Sequence, residues 1–187
     1  MDTGGSLNTV HHLYRYESLE ERARTRAALE TCGDWQRYLT TVRAHVAAQE
    51  GTIFVEAADV HAAAGVTAAT LALRPAGVSP AVFELRQYQL VLGYSPVKDL
   101  RAAFCSGIPA KQAASAEGEF LLLASSEIGR LNTVIELWRF EDAAACLRHR
   151  EASRGSEEWR RAIASVAGLT QSFTTTLLKP VPCSPLQ

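Results

Sequence analysis

An internal repeat limits how this chain can fold more than any other feature. Leu7-Asn8-Thr9-Val10 returns as Leu131-Asn132-Thr133-Val134. Carried on at the same spacing without a gap, Leu13 falls on Leu137, Tyr14 on Trp138, Arg15 on Arg139, Tyr16 on Phe140 and Glu17 on Glu141. Further along, Arg24 meets Arg148, Arg26 meets Arg150, Trp35 meets Trp159 and Val42 meets Val166. Aromatic residues replace aromatic ones, and charges keep their sign. A gapless match of this length marks a duplicated supersecondary unit.

Both copies read alike. Asn8–Tyr16 and Asn132–Phe140 are rich in β-branched and aromatic residues, the composition of a strand. Ser18 is placed to cap a following helix, with Glu20 and Glu21 as negative charge in its first turn. Ala23, Ala27, Leu29, Trp35, Leu39, Val42 and Val46 continue the helical pattern. Gly33 predicts a break near Thr31–Asp34, and Gly155-Ser156 stands at the equivalent place in the second copy. Thr52–Glu56 and Gln171–Leu178 are the closing strands, and Lys179-Pro180 ends the latter.

The second copy has more in front of it. Val82–Leu90 alternates apolar and polar residues, as a half-buried strand does. Ser95-Pro96 opens a helix carrying Val97, Leu100, Phe104 and Ile108, expected to break or bend at Gly107 and Pro109. Phe120–Ile128 is a strand that turns through Gly129-Arg130 into the next. The order β–α–β–β–α–β is that of a ferredoxin-like domain, so the fold class is α+β. The expected division is residues 1–56 as the C-terminal half of a first repeat, 57–81 as linker, 82–180 as a complete second repeat and 181–187 as tail. A small strand over Thr70–Leu73 is expected inside the linker. In this plan the first and third strands lie side by side, so the Asn8–Tyr16 strand lacks its neighbour. An open edge of that kind invites pairing with another chain, and self-association is expected.

Composition removes several classes of function. A formal net charge of −1 supplies no field for nucleic acid or an anionic membrane. No apolar run approaches the roughly 20 residues that a bilayer requires. The first residues show neither a signal peptide nor an Arg-rich transit segment. Cys32, Cys105, Cys146 and Cys183 form no CxxC pair and have no His at ligand spacing, so they read as free thiols and no metal site is expected. There is no phosphate-binding Gly-rich loop and no GxSxG.

Several short motifs, in this order, carry a family resemblance. Gly5-Ser6-Leu7-Asn8-Thr9-Val10-His11-His12-Leu13-Tyr14-Arg15-Tyr16 resembles the NipSnap hairpin motif, with Glu127-Ile128-Gly129 and Leu131-Asn132 repeating it. Asp34-Trp35, Gln49-Glu50 and Phe83-Glu84-Leu85-Arg86-Gln87-Tyr88 are similar to further motifs of that family, and Ser184-Pro185-Leu186-Gln187 to the ending of its third subgroup. The resemblance implies a tandem of two ferredoxin-like domains paired as a dimeric α+β barrel, here with an incomplete first copy. It implies a mitochondrial protein without firmly attached enzyme activity or cofactor. Its role would lie in vesicular transport or mitochondrial quality control (mitophagy), through protein partners such as autophagy or trafficking adaptors. Measured against the family, the sequence lacks a transit peptide and half of the first repeat, as an internal start or a truncation would.

Catalytic residues are not expected. The pocket candidates are His11, Arg86, Tyr88 and Trp138, because barrels of this type can hold a small apolar ligand between sheet and helices. The alternative role is therefore a small-molecule binder or a cofactor-independent monooxygenase-like enzyme. His11 and His12 are adjacent on the expected strand and face opposite ways, so they cannot share a metal. By the repeat, His11 corresponds to Ile135 on an apolar face and His12 to Glu136 on a polar one. Tyr14, Trp35, Trp138 and Trp159 are expected as core anchors. The arginines of the second helices, Arg22, Arg24, Arg26, Arg148, Arg150, Arg154, Arg160 and Arg161, alternate with glutamates and read as a solvated face.

Overall fold

The computed structural model describes residues 7–67, 81–182 and 184. Their contacts separate Thr9–Gly51 as one unit from a second that includes Asn8 and runs on from Thr52. In the first unit, Ser18 caps α1 (Leu19–Glu30) by accepting a hydrogen bond from the Glu21 amide at 3.1 Å. The chain breaks at Thr31-Cys32, and Gly33 starts α2 (Gly33–Arg43). The two helices pack on one another, yet neither contains a buried residue.

The second unit begins with β1 (Ile53–Glu56) and α3 (Ala58–Ala63). Then come β2 (Val82–Leu90), α4 (Pro96–Ala113), β3 (Gly118–Ile128) and β4 (Thr133–Phe140). The helices α5 (Ala143–Gly155) and α6 (Glu157–Val166) lead through a 3-10 turn, Ala167–Leu169, into β5 (Thr170–Leu178). The sheet is open, with order β1-β3-β4-β2-β5 and every neighbouring pair antiparallel. Within the complete repeat the first and third strands are central, Arg86 facing Glu136 and Tyr88 facing Val134. This is the ferredoxin-like arrangement of the α+β class.

Both faces of the central strands are buried. Val82, Tyr88, Leu90, Val134, Trp138 and Phe140 join Phe104, Ile108, Trp159 and Val166 in one core. Phe83, Leu85, Ile135 and Leu137 belong to a second cluster, with Leu121 and Ala124. Each large apolar side chain so buried contributes about 1.5–3 kcal/mol.

The repeat survives in three dimensions. Asp142 caps α5 as Ser18 caps α1, accepting from the Ala145 amide at 2.7 Å. Ser156 precedes α6 as Cys32 precedes α2. Asn8 and Asn132 both take the left-handed conformation, at φ 57° and 55°. In the second copy the Asn132 amide uses that geometry to donate to the carbonyls of Val91 at 2.7 Å and Gly93 at 3.1 Å.

Several expectations need correction. Asn8–Tyr16 forms no strand. Its copy Thr133–Phe140 is a strand because β3 and β2 flank it, and among the described residues no such pair flanks Asn8–Tyr16. The core role expected of Tyr14 and Trp35 fails for the same reason: Tyr14 is 56% exposed and Trp35 half-buried. Helix α4 runs unbroken past Gly107 and Pro109. At Gly107 the missing side chain serves packing, since a Cβ there would stand 2.6 Å from Ala162 Cβ. The expected linker 57–81 starts with α3, whose Val60 is fully buried. The strand expected over Thr70–Leu73 lies outside the described residues.

Candidate functional site

Period-two alternation puts Glu84, Arg86 and Tyr88 on one face of β2, and Glu136 and Trp138 on the same face of β4. The last turn of α4 adds Lys111, and α5 adds His149 and Arg150. Glu136 is the centre and is fully buried. Lys111 Nζ donates to its Oε1 at 2.6 Å, and the Tyr88 hydroxyl to its Oε2 at 2.6 Å. The Trp138 indole N–H also donates to Oε1. Arg86 Nη1 stands 4.0 Å from Oε2.

Glu84 anchors a second set. Its Oε1 receives Arg150 Nε at 2.9 Å and the Thr175 hydroxyl at 2.9 Å. Arg150 Nη2 pairs with the same oxygen and donates to Thr175 Oγ1 at 2.8 Å. Arg86 Nε lies 3.0 Å from Glu84 Oε1 as an ion pair, off the hydrogen-bond direction. The Lys111 ammonium also sits over the rings of Trp138 and Trp159, 4.3 Å and 4.6 Å from their centroids.

Taking these charges out of water is costly, so they survive only by pairing. Burial works to raise the Glu136 carboxyl, but Lys111, Arg86 and the donated hydrogen bonds outweigh it and hold the group down to about 2. Burial, helped by Arg86, lowers the Lys111 ammonium to about 8 despite the pull of Glu136. Burial and the adjacent carboxylate push the Tyr88 phenol well up. Burial also works to raise Glu84, yet Arg86 and Arg150 leave it below the ordinary carboxylate range. His149 lies 4.8 Å from the Trp138 ring, and neither of its ring nitrogens makes a well-formed hydrogen bond. Burial, then Lys111 and Arg86, lower its pKa, against opposing pulls from Glu84 and the Ser115 carbonyl. This ring is therefore a neutral core group.

Of the four pocket candidates, the fold brings Arg86, Tyr88 and Trp138 together around one carboxylate. His11 lies in the Thr9–Gly51 unit and is exposed. Two sequence expectations are overturned here. Glu136 is buried, not on a polar face, because helices cover that side of β4. Arg150 leaves the solvated arginine face to reach Glu84. Sequence reasoning missed Glu84, Lys111, Glu136 and His149. A signal was available, since Glu136 shares strand parity with Val134 and Trp138.

The other polar groups have ordinary roles. His61 Nε2 accepts the Leu123 amide at 3.0 Å, which makes it a satisfied core histidine. Burial pushes the Cys146 thiol up to about 11, so it is a poor nucleophile. Among the described residues no group of three His, Cys, Asp or Glu side chains is placed to hold a metal. A surface cavity of about 400 Å³ is lined by Glu117, Glu119, Arg139 and Phe140, whose charges are paired: Glu117 with Arg148 at 2.6 Å and Glu119 with Arg139 at 3.8 Å. Among the described residues no helix is long and apolar enough to cross a membrane.

The fold and its buried site define a ferredoxin-like α+β protein with an ion-paired interior. The NIPSNAP family model matches residues 1–60 and 83–185. The chain belongs to the NIPSNAP family. Solved relatives have the same fold. An uncharacterized NIPSNAP-like domain protein from Burkholderia xenovorans is 24% identical, with a TM-score of 0.52 over 57% of this chain and 90% of its own. A NIPSNAP family protein of unknown function from Agrobacterium tumefaciens is 22% identical, with a TM-score of 0.51 over 59% and 97%. Another NIPSNAP family protein from that organism is 21% identical, with a TM-score of 0.51 over 57% and 99%. Among curated proteins none matches.

Proposed function

We propose that this chain works through protein–protein contacts, as a mitochondrial NipSnap-type protein of vesicular transport or organelle quality control. One observation supports this reading over a ligand-binding one. Tyr88 and Trp138 donate to Glu136, which is 0% exposed, and Arg86 pairs with it as an ion at 4.0 Å, so the groups that would ring a pocket are turned onto one carboxylate. A ligand site needs polar groups that converge on space. The test is clearance of depolarised mitochondria in cells lacking the protein, with and without the re-expressed chain. Restored clearance by mitochondrially located chain is expected. Unchanged clearance together with unchanged vesicle traffic would remove the role.

The second reading, a small-molecule binder on the same fold, draws on the Lys111 ammonium. An amine held near 8 beside a carboxylate and a phenol is the sort of perturbed group that gathers at functional sites. Native mass spectrometry of the purified chain separates the two readings. The protein-contact reading expects the mass of the polypeptide alone. A small molecule retained one-to-one, and lost in Lys111→Met, would favour the binder.

A further inference from the structure

Where β1 gives way to α3, the His61 ring takes the place of a backbone group. In the β1–β3 ladder Val55 pairs with Ser125, so two residues further on Ala57 stands opposite Leu123. An antiparallel pair of this kind exchanges two N–H···O bonds. One is present, from the Ala57 amide to the Leu123 carbonyl at 2.9 Å. The other is not made, because the Ala57 carbonyl has turned into α3 and accepts the His61 amide at 2.9 Å. The Leu123 N–H goes instead to His61 Nε2 at 3.0 Å.

That bond fixes the state of the ring. A ring nitrogen accepts only while it carries no proton, so His61 is neutral here and its proton belongs on Nδ1. Nδ1 lies 3.9 Å from Glu56 Oε2, too far for a hydrogen bond but within reach of an ion pair once the ring is charged. The ring is otherwise enclosed, with His61 8% exposed and the Phe120 ring edge-on at 6.2 Å. Other titratable groups around α3 keep their state in mild acid. Burial works to raise Asp59, but Arg101 at 2.6 Å holds it below the ordinary carboxylate range. Burial raises the Cys105 thiol of α4. Lys111, further along α4, is tied to Glu136.

We propose that His61 is an acid-sensitive latch between α3 and the edge of the sheet. The neutral ring holds the Leu123 amide. Protonation sets an N–H against an N–H, so the bond is lost and the ring turns to the Glu56 carboxylate. The Leu123 N–H is then left unpaired at the end of the β1–β3 ladder. Release is confined to that end, since Asp59–Arg101 and the bond from Gln112 Nε2 to the Ala64 carbonyl at 3.2 Å keep α3 on α4. The closed state needs the unprotonated ring. It is therefore complete at neutral pH and is lost as pH falls through the range of an ordinary imidazole, about 6.5.

The latch is independent of the protein-contact role. Nuclear magnetic resonance of the full chain, stepped from about pH 7 to about pH 5, tests it. At the upper end the His61 ring is expected as the Nδ1–H tautomer. The protection factor of the Leu123 amide, which removes the intrinsic pH dependence of exchange, is expected to fall about tenfold or more, with the midpoint of the ring's own titration. Amides of β2 and β4 should hold theirs. His61→Gln, whose amide oxygen accepts at any pH, is expected to flatten the profile. Glu56→Gln should move the midpoint down by about half a pH unit. An Nε2–H tautomer, a flat Leu123 profile in the unaltered chain or different midpoints for ring and amide would overturn the latch. So would the same loss in His61→Gln, or equal loss across β2 and β4. An unmoved midpoint in Glu56→Gln overturns Glu56 as the partner of the charged ring.

Discussion

At the residue scale, Glu136 decides how the interior behaves. Its folded-state pKa is depressed from 4.5 to about 2. Its stabilising contribution is therefore complete above pH 4.5 and is lost as pH falls towards 2. The shift corresponds to ~3 kcal/mol. Lys111 is also depressed, from 10.5 to about 8, but for a cation the sign reverses. The unfolded chain binds more protons between those values, so the penalty for burying Lys111 is full below 8 and is relieved as pH rises towards 10.5. Glu136→Gln strands the buried ammonium and is expected to cost ~3–5 kcal/mol at pH 7. Adding Lys111→Met should recover part of that loss, since Gln keeps an acceptor for Tyr88 and Trp138 while the unpaired charge is gone. Urea unfolding of the three proteins at pH 7 and pH 3.5 checks both points. A cost under ~1 kcal/mol for the single variant, or additive losses in the double, would show that the pair is not coupled. The site was half legible in the sequence. Arg86, Tyr88 and Trp138 could be chosen as residues of one region. Glu136 was passed over, although it shares strand parity with Val134 and Trp138, because a carboxylate on an alternating strand reads as solvent-facing until helices are known to cover that face.

At the scale of elements, the approach of α4 to α6 depends on a glycine that the sequence suggested as a helix breaker. Periodicity finds a helix and its apolar stripe, but it does not say which helix comes close enough to forbid a Cβ. Gly107 performs that packing role, so the break expected there does not occur. Gly107→Ala would press on Ala162 Cβ and on Trp159 Cε3, 3.0 Å from the new atom. Overpacking of this kind costs ~1–3 kcal/mol. Adding Ala162→Gly should restore part of the loss in thermal unfolding, and an undiminished loss would place the strain elsewhere. The two left-handed asparagines offer a paired comparison. Asn132→Gly suits the backbone but removes both hydrogen bonds to the loop after β2, and is expected to lower stability by ~1–2 kcal/mol. At Asn8→Gly a change within ~0.5 kcal/mol is expected. Equal losses at the two positions would mean that the Asn132 clamp adds nothing. The cap at Ser18 was legible in the sequence, because local capping chemistry needs no tertiary partner. The Asn8–Tyr16 strand was misread because a strand exists only through its neighbours.

At the scale of the whole molecule, the sheet has two outer strands of very different character. At one end β1 is four residues long and carries Glu56. At the other, β5 is nine residues long, Thr170–Leu178, without a charge or a proline. Among the described residues β5 is hydrogen-bonded along one side only, to β2. Natural sheets blunt such an edge with lysine, proline or a bulge. The middle of β5 has none of these, and Ser172, Phe173 and Thr174 are exposed. Of the two edges, β5 is therefore the one on which the self-association expected from Asn8–Tyr16 is to be tested, since the earlier segment forms no strand. Light scattering on a sizing column, run across a hundredfold dilution, should show a mass that falls with concentration. Thr174→Lys should hold the chain at the monomer mass, because a second strand cannot align on a charged edge without burying the ammonium. Unaltered association in Thr174→Lys would move the contact away from β5. A monomer at every concentration of the unaltered chain would mean that this edge, although open and uncharged, is too twisted or too short to recruit a second copy.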